Sequence, residues 1–536
     1  MLTYAAAYNG FSLADLEARL YGPSTDALNA AQLCCDRWAV GERVALNFVD
    51  KGFALRRVTF AELADSSARF ANLLRQRGIG RGDVVAGLLP RTPELLTVIL
   101  GAWRVGAIYQ PLFTAFGPAA IQSRVTAKGG SQAKLIVTDA ANCGKLDEVA
   151  DAPPALLIDR GRAGTEFADA LAGQSPQCAA APLGLDDSLV ILFTSGTTGS
   201  PKGVRHALKL FSAVVVYMLD GIDLREDDIY WNVADPGWAY GLYYAILGPL
   251  LLGRTTTFFE GGFTVDNALR VIETIGVTNL AAAPTAYRAL MAAGDAAMAP
   301  ISGRLRVASS AGEPLNPEVM RWAERALKCP LGDHYGQTET GMIVNNHHGV
   351  AQELRPGSAG LAMPGFEVEV LDDALKPVGP GVAGVLAVRR KASPLMPFAG
   401  YWGAETPQLT EDWYVTGDTM HRDAEGFLYF TGRNDDIITS AGYRIGPFDV
   451  ESVLIEHPAV SEVAVIGKPD PERTEIVKAF VVLRQGFTGD DALAAELQQH
   501  VRRRLSLHAF PREVEFLPEL PKTPSGKVQR FLLRRR

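Results

Sequence analysis

Cysteine is scarce in this sequence. The chain has five cysteines among 536 residues, an odd number, and no two of them have the CxxC spacing of a zinc or redox site. A disulfide framework and a cysteine-bound metal are therefore excluded, and a reducing compartment is favoured. The thiols belong to Cys34, Cys35, Cys143, Cys178 and Cys329.

The sequence also lacks a surplus of basic residues and a long apolar run. Its 52 basic and 60 acidic side chains give a net charge of −8, so it has no electrostatic footprint for nucleic acid. The apolar stretches 210–219 and 243–252 are about half of the roughly 20 residues that a membrane-spanning helix needs. The N-terminus resembles neither a secretory signal nor a transit peptide. These absences predict a cytoplasmic protein with no membrane span and no nucleic-acid partner.

What the sequence does contain is a regular alternation of β-branched strands and amphipathic helices, with helices predicted over 13–40 and 60–77. This alternation predicts an α/β fold with parallel sheets. Beyond residue 350, glycines punctuate short strands, as in a small antiparallel barrel. The predicted organisation is a large N-terminal domain (1–431) of two stacked α/β lobes (about 1–185 and 186–350) plus a small β-barrel (about 351–431), and a smaller α+β C-terminal domain (437–536).

The strongest local signal lies in residues 191–206. A buried strand runs into a loop of hydroxyls and glycines, which ends in Lys202 and is predicted to lead to a helix. Glycines let backbone N–H groups converge on an anion, hydroxyls add donors, and the lysine adds a positive charge. The spacing of Gly199 and Lys202 is not that of a Walker loop. The segment therefore predicts a phosphate-binding loop formed by Thr194, Ser195, Gly196, Thr197, Thr198, Gly199 and Lys202.

This loop resembles the signature loop of the AMP-forming acyl-adenylate superfamily, which includes the acyl-CoA synthetases, the luciferases and the adenylation domains of peptide synthetases. Further segments resemble the other motifs of that superfamily in the same order, from about residue 40 to the end of the chain. Several co-linear motifs are far more specific than any one of them. These segments are Ser310–Leu315, Asp333–Gly341, Trp413–Asp418, Gly432–Ile445 and Pro521–Lys527.

The resemblance implies ATP, Mg²⁺ and CoA as the small molecules bound, and it implies roles for individual residues. Lys527 bridges the substrate carboxylate and the α-phosphate, while Glu339 and Thr194 hold Mg²⁺, a hard cation that prefers oxygen ligands. Asp418 accepts hydrogen bonds from the ribose hydroxyls, with Arg433 nearby. Tyr335 stacks on adenine. The remaining nucleotide contacts are expected from Gly312, Glu313, Pro314, Asp333, Gly336, Gln337 and Thr338.

The resemblance also implies two half-reactions in one site, with the small domain rotating between them about a hinge at 432–436, at Asp435. Rotation withdraws Lys527 and opens a channel for the thiol of CoA. Gly442 lines this channel because a residue without Cβ lets the thin pantetheine pass. Ala509 departs from the lysine that relatives carry, which weakens one expected CoA contact. The expected CoA-binding residues are Ala441, Gly442, Tyr443, Arg444 and Arg473.

The acyl pocket is expected at Trp238, Ala239 and Gly336. Acetate-specific members carry tryptophan at the position of Gly336 and valine at that of Ala239. Smaller residues leave room for methylenes, each of which is worth about 0.8 kcal/mol when buried. The sequence, which resembles medium-chain acyl-CoA synthetases in its motifs, thus predicts a medium-chain or branched aliphatic acid.

Other interpretations remain open at this point. They are an acetate or propionate CoA ligase, an adenylating enzyme that loads a carrier-protein pantetheine, and a non-catalytic sensor; a homo-oligomer is also possible. Loss of Lys527, Glu339 or Asp418 would have favoured the sensor, but all three are present. His206 is a candidate contact to phosphate or acyl group. The pair His347-His348 has no metal-ligand spacing and is predicted to lie in a surface loop.

Overall fold

The structure is a computed structural model that describes residues 1–159, 167–194, 201–440, 443–471, 473–523 and 527–536. In this part of the chain the predicted mixed α/β architecture is confirmed, with two six-stranded sheets followed by smaller sheets. None of the described helices is long and apolar enough to cross a lipid bilayer.

The first region contains most of one six-stranded sheet and the helices that cover it. The elements are α1 (Tyr4–Asn9), α2 (Leu13–Tyr21), α3 (Ala30–Cys34), β1 (Val44–Val49), β2 (Leu55–Thr59), α4 (Phe60–Gln76), β3 (Val84–Leu88), α5 (Pro93–Arg104), β4 (Ile108–Pro111), α6 (Pro118–Val125), β5 (Leu135–Thr138), α7 (Ala140–Cys143), β6 (Ala155–Leu157), α8 (Phe167–Ala172), β7 (Ser188–Thr194) and β8 (Lys202–Ala207).

Local sequence explains where the helices of this region begin and end. The predicted helix over 60–77 is confirmed as α4, which starts at a capping box in which Thr59 and Glu62 bond each other's backbone N–H groups. The single helix predicted over 13–40 is wrong. The chain leaves helical geometry at Gly22, which has a φ of 85°, and Pro23 follows it, so α2 and α3 are separate helices.

The first six-stranded sheet has the order β6-β5-β3-β4-β7-β8. Its first five strands are parallel, and β8 turns back antiparallel to β7. The segment after the phosphate loop is therefore a strand, and the helix predicted there is wrong. Strands β7 and β8 extend this sheet to residue 207.

The second region builds the other six-stranded sheet, in the order β15-β14-β13-β12-β11-β9. Strands β9, β11, β12 and β13 are parallel, and β14 and β15 continue antiparallel. Strand β10 instead joins β1 and β2 in a small third sheet. The elements are α9 (Leu210–Val216), β9 (Tyr230–Asn232), α10 (Ala239–Gly241), α11 (Gly248–Leu251), β10 (Thr256–Phe259), α12 (Val265–Ile275), β11 (Asn279–Ala282), α13 (Pro284–Ala292), β12 (Val307–Ala311), α14 (Pro317–Trp322), β13 (Leu331–Gln337), β14 (Gly341–Asn345) and β15 (Leu361–Ala362).

The last region contains two smaller sheets. The strands expected to form a small barrel make an antiparallel sheet with the linear order β16-β17-β18-β19, and the C-terminal strands make a sheet of five. The elements are β16 (Val368–Leu371), β17 (Gly384–Arg389), β18 (Trp413–Arg422), β19 (Leu428–Arg433), β20 (Ile438–Ser440), β21 (Tyr443–Ile445), α15 (Pro447–Leu454), β22 (Val460–Asp470), β23 (Thr474–Leu483), α16 (Asp491–Arg504), β24 (Glu513–Phe516) and α17 (Arg530–Leu533).

Polar contacts join the C-terminal sheet and helices to the rest of the molecule. The amide of Asn316 donates to the hydroxyl of Ser452 at 3.2 Å, and the guanidinium of Arg321 lies 3.3 Å from the carboxylate of Glu456. Such exposed ion pairs contribute little free energy each. Apolar packing accompanies these polar contacts, since the Phe448 ring of α15 packs edge-on against the Phe430 ring of β19 with 6.1 Å between centroids.

The carboxylate of Asp220, which follows α9, is partly buried, and its effect on stability can be tested. Burial raises the pKa of Asp220 to about 6, above the value of about 3.9 in an unfolded chain. The folded state therefore binds this proton more tightly, and stability is lost as pH rises from about 4 to 6. We expect Asp220→Asn to raise the free energy of unfolding by about 1–2 kcal/mol at pH 7.5 and by less at pH 5. Urea unfolding at both pH values measures this.

The matched control is Asp227→Asn, because Asp227 lies seven residues further along and is exposed. Its effect on stability should be near zero and independent of pH. If Asp220→Asn raised the free energy of unfolding equally at both pH values, the stabilisation would not come from removing a buried ionised carboxylate.

Candidate active site

A single large cavity, of about 1840 Å³, brings the predicted site residues together. It opens where parallel strands β7, β12 and β13 end, the place at which α/β sheets bind ligands. It continues onto the antiparallel sheet and the C-terminal region. Its wall includes Thr194, Lys202, Trp238, Ala239, Gly312, Glu313, Pro314, Asp333, Tyr335, Gly336, Gln337, Thr338, Glu339, Asp418, Arg433, Asp435 and Lys527.

The hairpin of β7 and β8 presents the ends of the phosphate loop to this cavity. The pairing register sets Thr194 opposite Lys202, and the Thr194 hydroxyl donates to the Lys202 carbonyl oxygen at 3.4 Å. The predicted loop residues Ser195, Gly196, Thr197, Thr198 and Gly199 lie outside the described residues. A hydroxyl and an ammonium thus flank the loop, as an anion site requires.

Asp418 accepts several hydrogen bonds from other residues of the cavity wall. Its Oδ2 accepts from the Tyr335 hydroxyl at 2.6 Å and from Gln337 Nε2 at 2.7 Å. Its Oδ1 lies 3.4 Å from Arg433 Nη1. The Tyr414 hydroxyl donates to Gln337 Oε1 at 2.8 Å and so fixes the Gln337 side chain. Burial raises the pKa of Asp418; Arg433, these hydrogen bonds and the ammonium of Lys527 counteract the rise. The carboxylate is therefore fixed and directed at the cavity before ligand arrives.

Glu339 is a buried carboxylate in the same wall. Its Oε1 accepts a hydrogen bond from the Tyr401 hydroxyl at 2.8 Å. Burial raises its pKa, and the bond from Tyr401 opposes that rise. The described residues contain no cluster of three or more metal-ligating side chains. One carboxylate with the Thr194 hydroxyl fits Mg²⁺, which keeps several waters and takes its other ligands from phosphate groups.

The expected adenine region is formed by the turn after β12 and the end of β13. Glu313 is held by an ion pair with Arg288 at 2.7 Å and by the Thr285 hydroxyl. Asp333 is buried, which raises its pKa well above the ordinary value. Its Oδ1 has no hydrogen-bond partner in the part of the chain that the structure describes. A buried acceptor of this kind fits a ligand that carries N–H donors.

Lys527 reaches the cavity from the C-terminal region. The backbone N–H of Thr523 donates to the Lys527 carbonyl at 2.7 Å, and the Lys527 N–H donates to the Thr523 hydroxyl at 3.1 Å. These hydrogen bonds fix the backbone of Lys527, whose exposed side chain lines the same cavity as Glu339 and Asp418. The amine and the phosphate-loop hairpin therefore face one space.

The expected CoA-binding residues are not gathered in this wall. Tyr443 is 48% exposed, and its ring stacks on His508 with 3.9 Å between centroids. The backbone N–H of Arg473 donates to Asp470 at 2.9 Å. Neither Tyr443 nor Arg473 is among the described residues of the cavity wall. Ala441, Gly442 and the side chain of Arg444 lie outside what the structure describes. Asp435, at the expected hinge, lies 3.3 Å from Arg433 Nε.

The expected acyl end contains an aromatic cluster and a glycine with no room for a side chain. The Trp238 ring packs between Phe113 and Phe116, with centroids 5.9 and 5.6 Å away. At Gly336, a Cβ would overlap the Gly341 carbonyl and lie 2.7 Å from Met342 Cα. The glycine is thus required by the pairing of β13 and β14, independently of which acid binds.

Three histidines have roles that differ from their sequence predictions. His206 is buried, which lowers its pKa to about 4, and its Nε2 donates to the Thr338 carbonyl at 2.7 Å. It therefore supports the segment that carries Glu339. The surface position predicted for His347-His348 is wrong: His347 is buried, His348 is half-buried, and His348 bonds the Ala308 carbonyl at 2.9 Å; burial lowers the pKa of both to about 4. Neutral imidazoles that satisfy backbone carbonyls belong in such an interior.

Sequence reasoning missed Tyr401, Tyr414 and Arg288, the residues that hold Glu339, Gln337 and Glu313. Tyr401 is 62 residues from Glu339 in the chain, and Tyr414 is 77 from Gln337. No spacing pattern connects such pairs. A tyrosine between two glycine-rich turns, as in Gly400-Tyr-Trp-Gly403, was the only available signal.

Comparison with known proteins agrees with this geometry. The model of the AMP-binding enzyme family matches residues 32–402, and that of the AMP-binding enzyme C-terminal domain matches 449–527. The chain is 38% identical to an acetyl-coenzyme A synthetase of Bacillus subtilis, over 99% of this chain and 94% of the relative. It is 36% identical to the mitochondrial acyl-coenzyme A synthetase ACSM4 of Rattus norvegicus, over 98% and 93%.

Among solved structures, it resembles a Brucella canis acyl-CoA synthetase at 54% identity, with a TM-score of 0.82 over 100% of this chain and 99% of that one. The chain belongs to the AMP-binding enzyme family, whose members form an acyl-adenylate from a carboxylate and ATP. Within that family it is an AMP-forming acyl-CoA synthetase, an acid–thiol ligase that uses ATP, Mg²⁺ and CoA.

Proposed function

We propose that this synthetase activates a medium-chain or branched aliphatic carboxylic acid. The observation that carries the proposal is the small side chain of Ala239, a wall residue of the cavity next to Trp238. The neighbouring ring of Trp238 offers an apolar surface to methylenes.

The positions of the charged groups support a division of roles in the first half-reaction. Lys527 neutralises charge between the substrate carboxylate and the α-phosphate, and Lys202 binds the leaving pyrophosphate. Glu339, with Thr194, holds Mg²⁺, which when bound neutralises phosphate oxygens. Asp418 fixes the ribose through charge-assisted hydrogen bonds.

The second half-reaction requires Lys527 to leave and CoA to enter. We infer that residues 437–536 rotate about Asp435, because Lys527 is needed in the first half-reaction and must leave the site for CoA in the second. Tyr443, Arg444 and Arg473 remain predicted CoA contacts, with Ala441 and Gly442. A cytoplasmic location and a homo-oligomeric state also stay predictions.

Acetate is the second candidate substrate. It is favoured by the similarity to the Bacillus subtilis protein, which is named an acetyl-coenzyme A synthetase and is matched over nearly the whole of both chains. The two candidates differ in how the rate depends on chain length, because each buried methylene adds binding free energy only where the pocket has space for it.

A chain-length series tests the proposal. Pyrophosphate release is measured with C2 to C10 acids, with and without CoA, and the thioester is identified by mass. We expect kcat/KM to rise about fourfold per methylene up to the pocket's length, and turnover to require CoA. A maximum at acetate would establish the second candidate instead, and turnover without CoA but with a pantetheinylated carrier would establish the carrier-protein alternative.

Ala239→Val adds two methyl carbons to the same wall. It is expected to lower kcat/KM for octanoate about tenfold while changing that for acetate less than threefold, because only the longer chain meets the added carbons. The control is Ala374→Val, in an exposed turn far along the chain, which should change neither value. Equal effects of Ala239→Val on both acids would place the acyl pocket elsewhere.

A further inference from the structure

A short segment, Phe398–Trp402, connects the phosphate-loop hairpin to the wall that carries Glu339. We call it the tyrosine strap. Its Tyr401 forms a β-bridge with Val204 of β8, and the Trp402 N–H donates to the Gly203 carbonyl at 2.7 Å. A Cβ on Gly203 would lie 3.0 Å from Trp402 Cβ, so the glycine allows this close approach. The strap therefore lies along the edge of β8, the strand that begins at Lys202.

The side chain of Tyr401 contacts two oppositely charged groups of the site. Its hydroxyl donates to Glu339 Oε1 at 2.8 Å, and the Lys202 ammonium lies 4.9 Å from the centroid of its ring. The ring in turn packs edge-on against Phe398, 5.1 Å away. The Tyr401 N–H donates to the Thr406 hydroxyl at 2.8 Å, which fixes the backbone that carries the ring.

Lys202 and Glu339 do not form an ion pair with each other in the part of the chain that the structure describes. A direct pair would neutralise both groups and occupy the donors and acceptors that ligands need. The tyrosine gives each group a weaker, specific partner: a hydroxyl for the carboxylate and a π-face for the ammonium. Both charges therefore stay directed at the cavity.

We propose that Tyr401 is a positioning residue for MgATP. Its hydroxyl orients the carboxylate of Glu339 toward the metal, and its ring keeps Lys202 at the phosphate end. This inference rests on the proposed role of Glu339 as a Mg²⁺ ligand. Hydrogen bonds to a ligating carboxylate orient it, and their loss typically costs about 10- to 100-fold in metal affinity or activity.

Tyr401→Phe tests the hydroxyl and leaves the ring, and with it the contacts to Lys202 and Phe398, in place. We expect the Mg²⁺ concentration for half-maximal ATP–pyrophosphate exchange to rise about tenfold or more. Calorimetric binding of a non-hydrolysable ATP analogue gives a readout independent of turnover. Its affinity should be unchanged without Mg²⁺, and the gain in affinity on adding Mg²⁺ should fall by a similar factor.

Tyr8→Phe is the matched control, since it also removes a tyrosine hydroxyl that donates to a partner, the Phe366 carbonyl at 2.9 Å, at a half-buried position outside the cavity wall. It should leave the Mg²⁺ dependence unchanged. The same Mg²⁺ dependence in Tyr401→Phe, Tyr8→Phe and wild type would overturn the inference alone. Wild-type exchange that does not depend on Glu339, shown by an unchanged Mg²⁺ dependence in Glu339→Gln, would overturn both the inference and the proposed role of that carboxylate.

Discussion

Lys527→Ala is expected to slow formation of the acyl-adenylate by about 10²- to 10³-fold, while thioester formation from synthetic acyl-adenylate and CoA stays within a few-fold of wild type. The reason is that the amine faces the cavity wall of Glu339 and Asp418, where two anions must meet in the first half-reaction only. Loss of this positive charge raises the barrier to acyl-adenylate formation. The second half-reaction does not use the amine, so its rate is unaffected. Pyrophosphate release and CoA consumption, measured separately, distinguish the two steps.

Lys522→Ala is the control from the same segment. Lys522 lines the same cavity, and its ammonium is paired with Glu462 at 2.6 Å. Its removal should leave both half-reactions within about twofold of wild type. If Lys527→Ala slowed both half-reactions equally, Lys527 would have a structural role, and its assignment to the adenylation step would be wrong.

Asp418→Asn is expected to lower kcat/KM for ATP about 100-fold or more, with little change in the KM for the acid. The substitution removes the charge and one acceptor oxygen from a site where Tyr335 and Gln337 already donate to the carboxylate. Each hydrogen bond to a charged group is worth roughly 1.5–3 kcal/mol, and the ribose presents two hydroxyls. Initial rates over an ATP series at saturating acid measure the effect.

Stability should respond differently from activity in this variant. Because burial raises the pKa of Asp418, the ionised carboxylate costs folding free energy, and a neutral amide of the same shape avoids that cost. The melting temperature of Asp418→Asn should therefore fall little. The exposed Asp412→Asn, at the position before β18, should change neither quantity. A large fall in melting temperature with unchanged ATP kinetics would show that Asp418 only supports the fold.

Gly336 was interpreted from the sequence as a pocket residue, and the structure gives it a role in strand pairing. Its sequence position suggested an open acyl pocket, by comparison with acetate-specific enzymes. The structure adds that a Cβ there would collide with the backbone of Gly341 and Met342, so glycine is needed for β13 and β14 to pair. Chain-length preference is better tested at Ala239, where a larger side chain changes the pocket without disturbing strand pairing.

The order of motifs and many of the element types were predicted from the sequence alone. Hydrophobic periods and turn residues act over a few positions, which is why α4 was predicted within one residue. The residue types at Thr194, Glu339, Asp418 and Lys527 likewise predicted a site for ATP and a carboxylate, because phosphate, metal and ribose each demand particular donors and acceptors.

Only the tertiary structure decided which distant residues support that site. The bond from Tyr401 to Glu339 and the burial of His347 depend on how separate sheets pack. Such contacts join segments tens of residues apart, and no local pattern encodes them. They arise because each buried polar group must find a partner in the folded chain, wherever in the sequence that partner lies.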